Sequence, residues 1–559
     1  MTGTNEIDVL TMDAKHLQML LESGKVTSVD LVQQYIDQAC RHNEKFAALT
    51  QEDICSRASE QLKERAEVLD AERAAGRIRG PLHGIPIIIK DNIDTNERRH
   101  GLDNTAGSYA NGWPISCPKE DAEIVDRLLD AGLIILEKAN LSEWDNMRKE
   151  ASVSDKRTED QTCRAAGRHG EGRQSAYVRG GLDPDDSKDG HSNPSGSSSG
   201  SAVGVSIGFA PFSIGTETVQ GSLVCPAGRA ALYAIRPTIG LVPQEGIIPI
   251  SHHFDTAGPM TKTVWDLAAL LDVLALKPPT ESFTRHLTGS WSDLRVAVLD
   301  PTKWRFPEEW VKPVKGAEAQ MVREIRQAYD VIKSKAKRFM NNVHLISVDE
   351  LKLDGESSEE VIILADLKRN LNECFKLRCH GKNSLEDVIK YNAEHKYHKD
   401  LELPPHHPRQ DIFIKAQNQQ TTQEEYDRHL RHLRYTARDR GVEAVLKDRG
   451  VDVILGPIDS GLTSIAAAGG FPLCAMPLGY LDYNGRPFGV AATAGRNNDA
   501  TLVQVMSAWE ATFPKRKVPP QLENTEGTYG WTVSGAHGEE TLKFVERPEP
   551  EMKDDDDDA

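Results

Sequence analysis

The spacing of apolar positions predicts helices across the first 75 residues. Apolar side chains recur there at intervals of three and four residues, which is the period of a helix with one buried face. The first helix ends at Gly24, and Thr27 or Ser28 caps the second. A charged segment at residues 59–75 predicts a third helix. The positions that define the first two faces are Leu17, Leu20 and Leu21, then Val29, Val32 and Ile36.

The hydrophobic pattern then becomes typical of a sheet with helices packed on it. Residues 84–89 (GIPIII) are a short apolar run rich in β-branched side chains, which predicts a buried strand. A helical segment at residues 122–131 and a second strand at residues 133–136 follow. Strand-like runs return after residue 451 as VDVILGP, GGFPLCAMPLGYL and GRPFGVAATAG. Strands near both ends of a chain, separated by helices, favour one large sheet over a string of separate domains.

Two stretches interrupt this pattern. Residues 149–194 are polar and lack an apolar period, which predicts a long surface loop or a partly disordered insertion. Residues 280–440 are mostly charged helical sequence that carries little chemical signal. The organisation that we predict is an N-terminal helical segment at residues 1–75, a main domain at residues 76–515 that holds both stretches, and a C-terminal extension at residues 516–559 with an acidic tail at Asp554 to Asp558.

Composition narrows the class of protein. The 559 residues carry 67 Lys and Arg against 85 Asp and Glu, a net charge of −18, which argues against nucleic acid or an anionic membrane as the main partner. Neither a membrane-spanning apolar run nor a secretory signal is recognisable, so we expect a cytoplasmic protein. The eight cysteines form no CxxC pair, so we expect reduced thiols and no metal site. Oligomeric state is left open.

Three separate features could carry chemistry. Lys90 follows the apolar strand directly, and burial disfavours its charged form, which would make it a base; the alternative is a lysine paired with Asp91 or Asp94. GSSSGS at residues 196–201 allows tight backbone geometry close to a ligand, although such a stretch can also be a linker. In GTETVQGSLVCPAG at residues 215–228, Ser222 follows a glycine, and the amides of that turn could form an oxyanion hole or belong to an ordinary turn.

Taken together, these features resemble the amidase signature family, whose members are hydrolases that use a Ser–cis-Ser–Lys triad. The similarity is dense from about residue 59 to 275 outside the polar insertion, and it resumes from about residue 451 to 508. Its flavour is closest to fungal-type members. The strings that carry it are HGIPIIIKDNIDT, NTAGSYA, LEKANLSEW, PSGSSSGSAVGVSIG, GTETVQGSLVCPA, IRPTIGLVP, FDTAGPMTKTVWDLA and GRPFGVAATAGR.

The resemblance implies a fold, a reaction and a set of site residues. The fold is a single large α/β domain with a central mixed sheet covered by helices on both faces. The reaction is hydrolysis of a small-molecule amide through an acyl-enzyme, without metal or organic cofactor. Lys90 matches the triad lysine, Ser197 the bridging serine and Ser222 the nucleophile. The oxyanion and substrate-binding positions are Val219, Gln220, Gly221 and Ser222, together with Ser197.

The sequence departs from the family pattern just before Ser222. Two residues, Val219 and Gln220, occupy a place where related sequences usually have one, so counting back from Ser222 would select Ser198 instead of Ser197 as the bridging serine. An extra residue there could misdirect an oxyanion donor, whose loss costs on the order of 3 kcal/mol. The alternatives are therefore a catalytically impaired binding or scaffold protein, an esterase or acyltransferase that uses the same acyl-enzyme, and a tRNA amidotransferase subunit.

Overall fold

The computed structural model describes most of the chain and shows how its helices and strands assemble. The residues described are 5–50, 59–102, 104–108, 110, 118–147, 175–178, 191–192, 194–276, 281–308, 310–311, 313–378, 384–395, 409–522, 530–534 and 541–545. Most of the predicted insertion at residues 149–194 and the acidic tail lie outside them.

Helices cover both ends and the middle of the chain. Short 3₁₀ segments lie at Glu143–Asn146, Phe283–His286 and Val348–Leu351. A π-helical turn at Arg438–Val442 joins two of the helices below. The α-helices are α1 (Ala14–Glu22), α2 (Ser28–Phe46), α3 (Ser59–Ala74), α4 (Glu97–His100), α5 (Glu123–Asp130), α6 (Ser199–Ser206), α7 (Val224–Arg229), α8 (Val264–Leu274), α9 (Lys315–Lys335), α10 (Ser358–Leu377), α11 (Leu385–Glu394), α12 (Asp411–Asn418), α13 (Gln423–Ala437), α14 (Glu443–Arg449), α15 (Leu462–Gly469) and α16 (Asp499–Glu510).

The strands form one large mixed sheet and two small two-stranded ones. In the large sheet, ten strands lie in the order β2-β1-β3-β5-β4-β11-β12-β10-β6-β7. Strand β1 is parallel to both β2 and β3, whereas the central strands are antiparallel. The strands are β1 (Pro86–Lys90), β2 (Ile134–Ala139), β3 (Phe212–Glu217), β4 (Tyr233–Arg236), β5 (Thr256–Thr261), β6 (Arg295–Val298), β7 (Arg338–Met340), β8 (Lys352–Leu353), β9 (Glu356–Ser357), β10 (Val453–Pro457), β11 (Leu473–Tyr480), β12 (Pro487–Ala494), β13 (Gly530–Ser534) and β14 (Thr541–Val545).

Helices pack on both faces of the sheet, which confirms the predicted fold class. Successive side chains of a strand point to opposite faces. Along β10, Val453 and Leu455 belong to one hydrophobic core and Ile454 between them to another, so each face carries its own core. Apolar residues of α1, α2, α8, α9 and α16 fill the first core. Those of α10, α11, α12, α13 and α15 fill the second, so the region of weak family similarity covers one whole face.

The N-terminal helices begin and end where their polar residues allow. Thr27 is the cap of α2: its hydroxyl accepts the Asp30 amide at 3.0 Å, and the Asp30 carboxylate accepts the Thr27 amide at 2.8 Å. This reciprocal pair satisfies amides that the helix itself leaves unbonded. Gly24, just past α1, has a φ of 67°, which glycine adopts without steric cost. Both termini agree with the prediction from the sequence.

The cysteines depart in part from the expectation of reduced thiols. Cys225, Cys374 and Cys474 are free, whereas Cys40 near the end of α2 is disulfide-bonded. Burial raises the pKa of the Cys225 and Cys474 thiols, so these two stay protonated and pack as small apolar side chains. None of the helices in the described part of the chain is long and apolar enough to cross a bilayer.

Candidate active site

Strands β1, β2 and β3 bring the site together at one edge of the sheet. They are adjacent and parallel, so their carboxyl ends lie side by side. Lys90 is the last residue of β1, and Thr216 lies near the end of β3. A 3₁₀ turn follows β2 shortly afterwards and carries Asp145. Residues far apart in sequence therefore meet where these strands end, a usual location for binding sites in α/β sheets.

Lys90 is completely buried and surrounded by oxygen acceptors. Its Nζ donates to Ser197 Oγ at 2.6 Å and to Thr216 Oγ1 at 2.8 Å, and it forms an ion pair with Asp145. Asn92 reinforces the cluster, because its Nδ2 donates to Asp145 Oδ2 at 2.8 Å and to Thr216 Oγ1 at 2.9 Å. The geometry therefore brings Lys90 and Ser197 together and excludes a simple pairing of Lys90 with solvent.

The two candidate bridging serines have different surroundings. The Ser197 hydroxyl contacts Lys90 Nζ and donates to Asp145 Oδ1 at 2.7 Å. The Ser198 hydroxyl instead donates to the Thr216 carbonyl at 3.0 Å and accepts the Thr216 amide at 3.2 Å. The peptide bond between Gly196 and Ser197 is cis. Ser197 is therefore the serine of this pair that lies against the lysine, as alignment of the flanking blocks predicts.

The Gly/Ser stretch is part of the core and not a linker. A Cβ on Gly200 would lie 2.4 Å from the Ala48 carbonyl oxygen and 2.5 Å from that of Asn140, so only glycine fits there. The Gly200 amide donates to Asn140 at 3.1 Å, and the Ser142 amide donates to the Ser197 carbonyl at 3.0 Å. These bonds hold the start of α6 against the segment that follows β2.

Ser222 lies on the turn between β3 and α7, beside the Gly/Ser stretch. Its carbonyl accepts the Ser198 amide at 2.9 Å, which ties this turn to the residue next to Ser197. Ser222 itself is half-buried, whereas its neighbours Gly221 and Leu223 are buried. Ser222 is thus accessible at the surface of a rigid, hydrogen-bonded turn, close in the fold to the Lys90 cluster.

Glu217 shapes that turn from below. Its carboxylate accepts the Leu223 amide at 3.0 Å, the Val224 amide at 3.2 Å and also the Gly221 amide. Burial raises the pKa of Glu217, and the facing Arg236, 3.6 Å away, together with these amides opposes that rise. The Gly221 N–H is therefore directed at Glu217, and the amides of Val219, Gln220 and Ser222 form none of the backbone hydrogen bonds seen among the described residues.

The turn accommodates its extra residue with two left-handed positions. Gln220 has a φ of 61° and Gly221 a φ of 89°; a Cβ on Gly221 would lie 2.4 Å from Cys225 Sγ. Val219 is buried in the second core, whereas Gln220 points outward and its side chain bonds Glu359 of α10. Burial raises the pKa of Glu359 to about 7. The insertion thus bulges away from the core towards the variable helices.

Sequence reasoning missed three members of the cluster, namely Asn92, Asp145 and Thr216. Asn92 and Thr216 lie inside blocks of family similarity but have no special spacing relative to Lys90. Asp145 stands one residue past the matched string LEKANLSEW and 55 positions after Lys90. Their proximity to Lys90 follows from strand order, which the local sequence pattern does not encode.

Comparisons with known proteins agree with this architecture. The Amidase family model matches residues 30–158 and 184–503. A protein of Schizosaccharomyces pombe named "Putative amidase" is 30% identical over 537 residues, which is 91% of this chain and 86% of that protein. An Arabidopsis thaliana protein named "Probable amidase" is 29% identical and covers 90% of each chain. The native peptide amidase of Stenotrophomonas maltophilia superposes with a TM-score of 0.73 at 28% identity, over 91% of this chain and 98% of that one.

The fold and these similarities define an enzyme of the C–N hydrolase class that acts on amides. The chain belongs to the amidase family, whose model matches most of its length. The resemblance predicted from the sequence is thereby confirmed, together with the fold class and the class of reaction.

Proposed function

We propose that this enzyme hydrolyses a carboxylic amide to an acid and an amine or ammonia through an acyl-enzyme on Ser222. The observation that carries the proposal is the 2.6 Å contact between Lys90 Nζ and Ser197 Oγ, next to the turn that bears Ser222. A buried lysine that contacts a hydroxyl can serve as the proton acceptor for a neighbouring nucleophile. The link from the Ser198 amide to the Ser222 carbonyl supports that neighbourhood.

In the proposed reaction, Ser222 Oγ bonds to the carbonyl carbon and gives its proton to Ser197, while Ser197 gives its own proton to a neutral Lys90. The tetrahedral oxyanion accepts hydrogen bonds from amides of residues 219–222. The C–N bond then breaks, and the proton returns through Ser197 to the leaving nitrogen. Water attacks the ester by the same relay, which releases the acid and restores the Ser222 hydroxyl. This chemistry requires no metal or organic cofactor.

The direction of the Gly221 amide narrows the choice of oxyanion donors. Because that amide faces Glu217, the donors that we propose are the N–H groups of Val219, Gln220 and Ser222. Two such donors are enough for an oxyanion hole, and each contributes about 3 kcal/mol to transition-state stabilisation. The bulged position of Gln220 is therefore compatible with activity, which weakens the alternative of a binding or scaffold protein.

The proposed substrate is a small-molecule amide, and peptidyl amides are the first compounds to test. One solved structure of similar fold is a peptide amidase. An esterase or acyltransferase would form the same acyl-enzyme, so the two alternatives differ from hydrolysis of amides in the bond cleaved or in the acceptor. Ammonia release from a panel of primary amides, with the matching esters in parallel, separates these outcomes.

A fluorophosphonate should modify Ser222 stoichiometrically, because the probe reacts with serines that have an activated hydroxyl. Intact mass followed by peptide mapping measures the adduct and its position. Ser197→Ala should slow labelling by about 10²-fold or more, since the relay is broken. The matched variant Ser198→Ala should label at nearly the normal rate, because that hydroxyl bonds only the Thr216 backbone. Folded protein that acquires no adduct would favour the scaffold alternative.

Amide hydrolysis should become faster as the pH rises, because the proposed relay requires a neutral Lys90. We expect kcat/KM to increase from about pH 6 to about pH 9, since that parameter reports the ionisation of the free enzyme. Glu359 titrates in the same range, with a pKa of about 7, so the profile should also be measured on Glu359→Gln. The rise should persist in that variant. A flat profile would argue against Lys90 as the base.

A further inference from the structure

The feature that the proposed reaction leaves unexplained is Asp145, a carboxylate placed against both members of the lysine–serine pair. Its side chain forms an ion pair with Lys90, and Oδ1 accepts the Ser197 hydroxyl at 2.7 Å. Oδ2 accepts Asn92 Nδ2 at 2.8 Å. Asp145 is 7% exposed and Lys90 is fully buried, so water screens their interaction weakly. The charge of Asp145 therefore acts directly on the proposed proton acceptor.

The surrounding structure holds Asp145 in place. Trp144 and Asp145 both adopt left-handed backbone conformations, with φ values of 50° and 55°. The Trp144 ring makes edge contacts with Phe375 of α10 and Phe413 of α12, at centroid distances of 6.0 and 5.7 Å. The Trp144 amide donates to the Ala106 carbonyl at 2.9 Å. Helices from the region of weak family similarity thus anchor the turn that presents the carboxylate.

Three acceptors face Lys90 Nζ, namely Ser197 Oγ, Thr216 Oγ1 and the Asp145 carboxylate. An ammonium group has three N–H donors and no lone pair, so this arrangement matches the protonated form of lysine. A neutral amine would leave one acceptor without a donor. An opposite charge in contact with the amine favours the protonated form further.

Other charged groups on the neighbouring elements each have a partner of their own. Asp255 also interacts with Asp145, and burial raises its pKa to about 7. Burial lowers the pKa of Lys138 to about 8. The pairs are Asp91 after β1 with Thr105, Lys138 of β2 with Asn104 at 2.7 Å, Glu217 of β3 with Arg236 at 3.6 Å and Asp255 before β5 with Thr218 at 2.8 Å.

We infer that Asp145 is a positioning residue that holds Lys90 as an ammonium in the resting enzyme and thereby sets the pH at which the serine relay begins to work. This inference rests on the proposed function of Lys90 and Ser197. For the reaction to start, Lys90 releases one proton to solvent, and the Ser197 hydroxyl turns from Asp145 to the neutral amine. When Ser222 attacks, its proton reaches Lys90 through Ser197, and Asp145 stabilises the ammonium that forms again.

Two opposite effects therefore follow from removing the charge. Asp145→Asn should move the acid limb of the pH profile towards lower pH by about one to three units, the range for an opposite charge at contact distance. The same change should lower the alkaline plateau by about tenfold or more, because the new ammonium loses its partner. The two profiles should cross. A residue with a merely structural role would lower the plateau and leave the midpoint where it was.

The pH dependence of fluorophosphonate inactivation measures this without knowledge of the substrate. The second-order rate constant is determined from about pH 5 to about pH 10 on the wild-type enzyme, Asp145→Asn and Asp145→Glu. Asp145→Glu restores the carboxylate and should return the midpoint close to the wild-type value. Asp255→Asn is the matched control, because it removes the other carboxyl near Asp145 without touching Lys90; its midpoint should not move.

The outcomes distinguish this inference from the proposed function. A midpoint that is unchanged in Asp145→Asn, on wild-type enzyme that labels at Ser222 with an alkaline rise, overturns the inference and leaves the acyl-enzyme mechanism standing. Wild-type enzyme that does not label overturns the proposed function itself. Should Asp145→Asn be poorly folded, as shown by its melting temperature, the comparison of Asp145→Glu with wild type decides: a shifted midpoint supports control by the carboxylate, and an identical midpoint with a lowered plateau contradicts it.

Discussion

Replacing Ser222 by alanine is expected to reduce amide hydrolysis by about 10⁴- to 10⁶-fold, because the variant has no nucleophile with which to form the acyl-enzyme. The side chain is half-buried at the end of a turn whose backbone bonds are made by Glu217 and Ser198. Removal of the hydroxyl should therefore leave folding intact. Ammonia release from the most active amide of the panel, together with the melting temperature, measures both expectations.

Ser206→Ala is a suitable control for the loss of one serine hydroxyl. Ser206 lies in α6, and its hydroxyl donates to the Val203 carbonyl of its own helix at 2.9 Å. This variant should hydrolyse the amide at the wild-type rate and accept the fluorophosphonate on Ser222. Turnover that persists in Ser222→Ala at more than about one per cent of wild type would rule out the acyl-enzyme on this residue.

Replacing Lys90 by methionine is the second change with a large expected effect, and it should affect both activity and stability. Loss of the proposed base should reduce kcat by about 10²- to 10⁴-fold. The same change leaves the Asp145 carboxylate without its ionic partner in a site that excludes water. Breaking a buried ion pair from one side costs about 3–5 kcal/mol of folding free energy. Steady-state kinetics and chemical denaturation measure the two losses separately.

The double variant Lys90→Met with Asp145→Asn separates chemistry from folding. With the carboxylate also neutral, no unpaired charge remains, so much of the stability lost in Lys90→Met should return. Activity should stay low, because no base is left. If the double variant regained activity along with stability, the effect of Lys90→Met would be structural, and the lysine would not be the proton acceptor.

The stability of the double variant also tests how the charges are coupled. Residues in one hydrogen-bond network show interaction free energies of about 0.5–3 kcal/mol in double-mutant cycles. Lys90 and Asp145 meet this condition directly, and Asn92 and Thr216 belong to the same network. A coupling close to zero would mean that the two side chains do not form the ion pair in solution.

Much of the fold could be predicted from local sequence patterns, because those patterns depend on neighbours along the chain. The faces of the N-terminal helices, the cap at Thr27 and the buried strand before Lys90 follow from hydrophobic period and capping chemistry. The family blocks added the order of Lys90, Ser197 and Ser222 and the class of reaction. The thiol state was predicted less well, since Cys40 is disulfide-bonded while the other described cysteines are free.

The contacts of the site depended on strand order, which local patterns do not specify. Ser197 rather than Ser198 reaches Lys90 because the Ser198 hydroxyl is bonded to the backbone of β3. The Gly221 amide faces Glu217 because the turn folds back over that carboxylate. Both findings concern side chains a few residues apart whose orientation is set by strands that lie far away in sequence.

The sequence by itself determined that this chain is an amidase with a large α/β fold and with a lysine and two serines in the family's order. Only the tertiary structure decided which groups surround that lysine. Asp145, Asn92 and Thr216 reach it because β2, β1 and β3 run parallel and end at the same edge of the sheet. Electrostatic interactions depend on distance in space and on burial, and neither can be read from positions that are 55 and 126 residues from Lys90 along the chain.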